Sequence, residues 1–196
     1  KVSSGTLTNS AKINMSNTKS SVGMFINATG NVTNNGEINA SGEGIKGIVA
    51  KAGSNVTNAG KITFDGKQNG NEGAVGLAAM EGSTLTHTGG GTIIVEGSAS
   101  VGAYSKDGST VVDITGGNLT AKNGAFNTYS KGGTIKLSGT TVDTGQKSLA
   151  FYTDDTGVIN FANPVIANIA GGTNSNSRGT AFLFRGIGGT YTTFDG

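Results

Sequence analysis

Two adjacent carboxylates, Asp154 and Asp155, are the side chains of this sequence best suited to hydrolytic chemistry. A pair of acidic residues can divide the roles of general acid and base when a glycosidic bond is hydrolysed. Here the pair directly precedes the dipeptide Thr156-Gly157, which is typical of a plain turn. Folding could bring Asp143 and Arg178 close to it, but spacing alone does not establish this. We therefore expect a solvated turn and no catalytic residues, with a polysaccharide-degrading enzyme or a cation site as alternatives.

His87 is the only histidine among the 196 residues, and the chain contains no cysteine. A single imidazole supplies no zinc ligand set, and no Asp or Ser constellation accompanies it that would make it a general base. The glycine-rich runs do not open a helix and so are not phosphate-binding loops. Calcium-binding glycine-aspartate repeats are missing. We expect no metal site and no cofactor, and we interpret His87 as a substitute for asparagine in a turn.

Tyrosines recur in the second half of the chain and are candidate binding residues. Tyr104 and Tyr129 each stand before Ser-Lys, and Tyr152 and Tyr191 follow. Exposed aromatic rings stack on sugars and act as hot spots of protein interfaces. The alternative for Tyr104 and Tyr129 is a column of tyrosines packed into the wall of the fold.

The composition is poor in charge, which excludes one class of partner. Charged residues make up 13% of the chain, the net charge is +2, and no run of Lys or Arg occurs. Nothing therefore attracts the chain to nucleic acid or to acidic membranes. The 35 glycines would suit a disordered chain, but the apolar residues are regularly spaced and proline occurs once. We expect a folded chain whose elements follow from that spacing.

One motif recurs along the chain and defines these elements. Gly5–Ile13, Gly30–Ile38 and Gly53–Ile62 each contain a glycine, a short run with an apolar residue, a polar turn and a second apolar position. Looser copies begin at Gly82, Gly108, Gly133 and Gly157, so the leading glycines are 25, 23, 29, 26, 25 and 24 residues apart. Such a period is typical of a solenoid, whose coils contact only their neighbours. Seven or eight coils of about 25 residues fill the chain.

The apolar positions predict three short strands in each coil. The first strand carries the apolar column Leu7, Val32, Val56, Leu85, Val111, Ile135 and Ile159. The second begins at Ile13, Ile38, Ile62, Ile93, Leu119, Val142 and Val165, and its apolar residues alternate with polar ones, so one face points inward. The turn between them carries Asn9, Asn34, Asn58, His87, Gly116, Gly139 and Asn163, residues that tolerate left-handed backbone and whose amides can hydrogen-bond from coil to coil.

The third strand is more continuously apolar, over 22–26, 45–50, 75–79 and 181–184, and its inward residues cannot be identified from the sequence. Its glycines at 23, 47, 76 and 102 leave room for a bulky neighbour. Three strands per coil predict an all-β fold, a right-handed parallel β-helix, because crossovers between parallel strands are nearly always right-handed. We expect residues 1–196 to form a single segment of a longer solenoid.

The motif resembles the passenger repeats of Gram-negative type V autotransporters, and most closely the large fusobacterial-type outer-membrane adhesins. The residues that carry the resemblance are Gly-x-x-Val-Thr-Asn-x-Gly-x-Ile, as in Gly53–Ile62, and the run Gly47-Ile-Val-Ala-Lys-Ala-Gly53. The similarity is strongest over 5–66 and fades after 140. It implies display at the bacterial cell surface through an outer-membrane β-barrel outside this sequence, and adhesion to a protein or glycan of host cells or other bacteria. A β-helical polysaccharide lyase or glycoside hydrolase and a passive spacer are the alternatives.

Two coils are longer than the repeat requires, at the same point between the second and third strands. The extra residues are 65–71 and 171–177, and both segments are rich in Asn and Gly. Insertions at one repeat position emerge on one face of a solenoid, often its binding face. The basic residues could meet an acidic sugar or a protein carboxylate, and a tolerated surface insertion is the alternative. The candidate binding residues of these loops are Lys67, Gln68, Asn69, Asn71, Asn174, Asn176 and Arg178.

Overall fold

The computed structural model describes residues 5–185, without the side chain of Ser175. It is a parallel β-helix of seven coils, each of which gives one strand to each of three sheets. Sheet A contains β1 (Thr6–Asn9), β4 (Asn31–Asn34), β7 (Asn55–Asn58), β10 (Thr84–His87), β13 (Val111–Thr115), β16 (Thr134–Ser138) and β19 (Val158–Ala162).

Sheet B contains β2 (Ile13–Lys19), β5 (Ile38–Glu43), β8 (Ile62–Lys67), β11 (Gly91–Glu96), β14 (Asn118–Lys122), β17 (Thr141–Thr144) and β20 (Ile166–Ile169). Sheet C contains β3 (Val22–Asn27), β6 (Lys46–Lys51), β9 (Val75–Ala79), β12 (Val101–Lys106), β15 (Phe126–Lys131), β18 (Leu149–Asp154) and β21 (Thr180–Phe184). A short 3₁₀ turn at Ser175–Ser177 is the one helical element within 5–185, and no described helix is long and apolar enough to cross a membrane.

The core lies inside the solenoid, where each apolar residue packs on its counterpart in the next coil. In sheet A, Val32, Val56 and Leu85 stand in register and are all buried. Strand β8 alternates strictly between buried and exposed residues, with Ile62 and Phe64 inside. Fully burying a side chain of this size contributes about 1.5–3 kcal/mol. The predicted parallel β-helix and the alternation of the second strand are thus confirmed.

The register corrects three of the predicted positions. Val112, and not Val111, pairs with Leu85 and is buried. In sheet B, Ile93 lies beside Phe64 instead of Ile62, and Val142 pairs with Ala167 instead of Val165. The sheet B errors are shifts of two residues, which leave the same face inward because side chains alternate with a period of two. The sheet A error of one residue exchanges the inner and outer faces.

The glycine column of sheet C makes room for large side chains of the sheet opposite, as predicted. A Cβ on Gly47 would lie 2.4 Å from the carbonyl oxygen of Gly76 and 3.4 Å from Cδ2 of Phe64. A Cβ on Gly76 would lie 2.4 Å from Cγ2 of Ile93. The missing side chains therefore allow Phe64 and Ile93 to fill the centre of the solenoid.

Stacked asparagines form a hydrogen-bonded ladder at the end of the sheet A strands. Nδ2 of Asn9 donates to Oδ1 of Asn34 over 2.7 Å, and Nδ2 of Asn34 donates to Oδ1 of Asn58 over 2.5 Å. The other amide proton of Asn34 goes to the carbonyl oxygen of Gly36, and that of Asn58 to Gly60. Asn34 and Asn58 are fully buried, so these bonds replace those that water would supply. The predicted ladder is confirmed from Asn9 to His87.

Beyond His87 the predicted column is wrong. The register places Ile114, Leu137 and Phe161 in line with His87, so apolar side chains replace the amides in the last three coils. Gly116, Gly139 and Asn163 lie two residues further along, where their φ angles of 72°, 59° and 57° are left-handed. Asn9, Asn34 and Asn58 are strand residues with ordinary backbone. The bend and the ladder are therefore two separate positions.

We expect Asn58→Leu to lower the free energy of unfolding by about 1–3 kcal/mol, because Asn34 and His87 each lose a buried partner and the Gly60 carbonyl loses its donor. Asn55→Leu is the matched control: Asn55 lies on the same strand, and its exposed side chain makes one surface hydrogen bond of 3.3 Å to Asn31. Its unfolding free energy should stay within about 0.5 kcal/mol of wild type. Denaturant unfolding of the three proteins measures the difference, and equal midpoints for Asn58→Leu and wild type would show that the ladder contributes no stability.

Candidate binding surfaces

The acidic pair lies in an exposed turn at the end of β18. Asp154 accepts a hydrogen bond from the hydroxyl of Tyr129 over 3.4 Å, and Asp155 has a left-handed backbone with a φ of 56°. Asp143 lies on sheet B, where its oxygens accept the amides of Asn118 and Asn168. Within residues 5–185 no three His, Cys, Asp or Glu side chains are grouped so that they could hold a metal ion. The expected turn is confirmed, and the absence of enzymatic activity stays a prediction.

His87 is the last member of the asparagine ladder. Its Nδ1 lies 2.8 Å from Nδ2 of Asn58, and its Nε2 lies 3.1 Å from the carbonyl oxygen of Gly90. Since the Asn58 amide donates, the arrangement assigns the proton to Nε2, which donates to Gly90. Burial lowers the pKa of His87, and the carbonyl oxygens of Asn58 and Gly90 oppose this only in part. His87 therefore replaces an asparagine, as predicted, and is held neutral.

The first long loop, residues 68–74 between β8 and β9, is tied to the coils on both sides of it. Oε1 of Gln68 accepts the backbone N–H of Ala99 in the next coil. Asn69 and Glu72 exchange two backbone hydrogen bonds of 2.8 and 2.9 Å. The carboxylate of Glu72 accepts a hydrogen bond of 2.5 Å from Lys46 in the preceding coil and another of 2.5 Å from Ser20, two coils back. These bonds lower the pKa of Glu72.

Of the four candidates in this loop region, two are held by the protein itself and two face solvent. Gln68 and Asn69 are partly buried, whereas Lys67 and Asn71 are exposed. Lys67 belongs to strand β8, so the inserted segment begins only at Gln68. Together with Ser41 and Asp65, Lys67 lines a polar cleft of about 370 Å³ on the outside of sheet B. The loop thus forms hydrogen bonds with the coils on both sides of it and leaves the polar side chain of Asn71 exposed.

The second long loop joins β20 to β21 and contains the 3₁₀ turn. Oδ1 of Asn174 caps this turn by accepting the backbone N–H of Asn176 over 3.0 Å. The side chains of Asn176 and Arg178 are exposed. Both loops lie at the corner between sheets B and C, four coils apart, as predicted. At a strand spacing of about 4.8 Å they are roughly 20 Å apart, so they do not form one compact site.

The tyrosines form one packed column on the outer face of sheet C. Tyr104, Tyr129 and Tyr152 stand in register on β12, β15 and β18. The ring centroids are 5.2 Å apart between the first two and 4.6 Å apart between the last two. Phe126 lies beside the column, 5.4 Å from Tyr152. The packing alternative is therefore confirmed, and binding by Tyr104 and Tyr129 stays a prediction. Tyr191 lies outside the described residues.

Sheet C differs from the other two sheets in the chemistry of its outer face. The outward column of sheet A is polar: Thr8, Thr33, Thr57, Thr86, Asp113, Lys136 and Asn160. That of sheet B is nearly so: Ser41, Asp65, Ile94, Thr120, Asp143 and Asn168. The matching column of sheet C is apolar or aromatic throughout: Phe25, Val49, Ala78, Tyr104, Tyr129, Tyr152 and Leu183. Phe25 and Leu183 are exposed members of this column, whereas Val49, Ala78 and Tyr152 are buried.

Sequence reasoning found the tyrosines but missed the apolar face to which they belong. The signal was the third strand itself, because Met24 and Phe25 or Ile48 and Val49 leave no polar alternation. In the structure Met24 and Ile48 point inward, whereas Phe25 and Val49 lie on the outer face. A strand that is apolar on both sides is typical of a sheet covered on both sides. Here the outward residues Val49, Ala78 and Tyr152 are themselves buried, whereas Phe25 is exposed.

Comparison with known proteins found no family model, no curated protein and no solved structure that matches this chain.

We expect the free energy of unfolding to fall as the pH is lowered below about 6.5, the pKa of histidine in an unfolded chain. The folded state resists protonation of His87, so its contribution is complete above this pH and is lost as the pH falls through it. His87→Asn places an amide without a titratable proton at this position and should remove this dependence. Denaturant titrations between about pH 7.5 and about pH 5.5, above the range of carboxylates, measure the effect. Parallel pH profiles for both proteins would contradict it.

Proposed function

We propose that this chain is a non-enzymatic attachment segment of a bacterial surface protein, part of an autotransporter passenger rod that binds a host or bacterial surface molecule. The observation that carries the proposal is the apolar and aromatic outward column of sheet C, on a solenoid whose matching columns in the other two sheets are polar except for Ile94. Aromatic residues are the side chains most enriched at the energetic centres of interfaces. The chain motif Gly-x-x-Val-Thr-Asn-x-Gly-x-Ile supports the passenger assignment and, with it, a location at the cell surface.

The architecture suits such a role because binding residues repeat at fixed intervals along a rigid rod. Each coil hydrogen-bonds to its neighbours through three sheets, so outward side chains recur at intervals of about 4.8 Å. A ligand can thus contact several coils at once without ordering a flexible loop, which lowers the entropic cost of binding. A passive spacer needs the same rod but not an apolar outer face.

The polysaccharide-degrading alternative has less support. Glycoside hydrolysis requires two carboxyl groups on opposite sides of the scissile bond. Asp154 binds Tyr129 and Asp155 lies in an exposed turn, whereas Asp143 is held by two amides on another sheet. Asp143 and the predicted pair thus lie on different sheets. In the polar cleft outside sheet B, which holds the carboxylates of Glu43 and Asp65, Glu43 is paired with Lys19.

Binding of the fluorescently labelled 196-residue chain to epithelial cells and to bacteria tests the proposal. The double variant Phe25→Ser/Tyr129→Ser alters the face of sheet C and should weaken cell binding at least about tenfold. Thr57→Ala/Asp113→Asn alters the outer face of sheet A and is the matched control, expected to bind as wild type does. Unfolding curves for each protein separate lost contacts from lost fold.

Three outcomes would contradict the proposal in different ways. If the wild-type chain binds no cell surface, the spacer alternative stands. If Lys67→Ala/Asn71→Ala weakens binding while the sheet C variant does not, the contact lies at the loop corner. If the chain releases reducing ends from pectin and Asp154→Asn/Asp155→Asn abolishes the release, the chain is an enzyme.

A further inference from the structure

The outer face of sheet C contains a groove of about 340 Å³ between two aromatic rings. Phe25 and Tyr104 form its ends, and Val49 and Ala78 form its floor. Although both floor residues face outward, they are only 4% and 1% exposed, because larger neighbours surround them. The side chain of Phe25 is 59% exposed, so one end of the groove presents a free ring face to solvent.

The groove is a gap in the aromatic column. Phe25, Val49, Ala78 and Tyr104 stand in register on four successive strands. Tyr104, Tyr129 and Tyr152 place a ring in this column in three successive coils, with centroids 4.6–5.2 Å apart. At Val49 and Ala78 the rings are missing. The Phe25 and Tyr104 backbones are three strand spacings apart, about 14 Å, and the side chains of Val22, Val75 and Met80 fill part of the space between the two rings.

The lining favours an apolar side chain over a sugar. Val22, Val75 and Met80 complete the walls, and the one charged group, Lys46, is bound to Glu72. A sugar pressed onto this floor would bury hydroxyl groups without hydrogen-bond partners, which is unfavourable. An aromatic or leucine side chain has no such groups, and it would pack on the Phe25 and Tyr104 rings.

Lysines at the ends of the sheet C strands determine which charges the residues on either side of a bound side chain should carry. Lys51, Lys106 and Lys131 end the sheet C strands β6, β12 and β15. Lys51 is paired with Glu81 over 2.8 Å, but neither Lys106 nor Lys131 forms a salt bridge with any residue in 5–185. The nearby carboxylate of Asp107 accepts a backbone N–H, and that of Asp154 accepts Tyr129. Two unpaired ammonium groups thus stand next to the apolar column.

We infer that this groove binds an aromatic side chain of a protein partner, flanked by acidic residues that pair with Lys106 and Lys131. The inference rests on the proposed attachment function and names the chemistry of its partner. A second copy of the chain fits less well, because its own sheet C face would bring the same unpaired lysines into contact with these.

The probe is the capped peptide Asp-Asp-Phe-Asp-Asp, titrated into the isotope-labelled 196-residue chain and followed by NMR. We expect shifts at Val49, Ala78 and Tyr104. Replacing the Phe of the peptide by Ala, or its four Asp by Lys, should weaken binding at least about tenfold. Raising the salt concentration should weaken binding of the acidic peptide, because exposed charges are screened.

Two protein variants test the groove itself. Ala78→Tyr continues the tyrosine column into the gap and should abolish the shifts at Val49, and its unfolding curve separates a filled groove from a disturbed fold. Phe25→Ser removes one wall at an exposed position and should weaken peptide binding at least about fivefold. Thr86→Tyr adds the same ring to the outer face of sheet A and is the matched control, expected to bind as wild type does.

The inference is overturned if Ala78→Tyr binds the peptide as wild type does. It is also overturned if trigalacturonate shifts the resonances of the groove residues more strongly than the peptide does, or if the same shifts arise from self-association as the chain is concentrated.

Cell binding separates the inference from the proposed function. A chain that adheres to cells equally well with Ala78→Tyr retains the attachment role without this groove. A chain that binds the peptide but no cell surface retains the groove and loses the attachment role.

Discussion

The fold depends on parallel hydrogen bonding between equivalent strands of successive coils. Because every strand pairs with its counterpart one coil above and below, each side chain must tolerate the residue that occupies the same position in the next coil. Apolar residues meet this condition by packing. A buried polar residue meets it by hydrogen-bonding to the backbone, as Ser105 and Ser130 do, or to its stacked counterpart. The amides of Asn34 and Asn58 do both.

The same condition explains what the sequence could and could not predict. The coil period and the alternation of the second strand follow from Ile38, Ile62 and Phe64, whose positions repeat with a polar residue between. The asparagine column failed after His87 because a glycine two residues later imitates the turn, whereas Ile114 occupies the interior position. The inner face of the third strand could not be predicted, since both of its faces are apolar.

The candidate site was predictable to the extent that it depends on local sequence. The turn of Asp154 and Asp155 and the shared corner of the two long loops follow from turn residues and insertion length. The bonds that hold the first loop do not, because Glu72 reaches Ser20 across two coils and spacing along the chain gives no sign of that contact. The groove on sheet C likewise depends on which residues of four separate coils come into register.

The position of His87 follows from the change of interior chemistry along the solenoid. On one side it meets the amide of Asn58, which requires an acceptor; on the other it meets Ile114, which offers no polar group. Another asparagine would direct its own stacking amide at an apolar neighbour. A neutral imidazole accepts a hydrogen bond at Nδ1 and donates its Nε2–H to the Gly90 carbonyl. It therefore ends the ladder without presenting a polar group to the next coil. His87 thus joins the asparagine ladder to the apolar column. Both of its ring nitrogens have a hydrogen-bond partner, and this arrangement holds only while the imidazole remains uncharged.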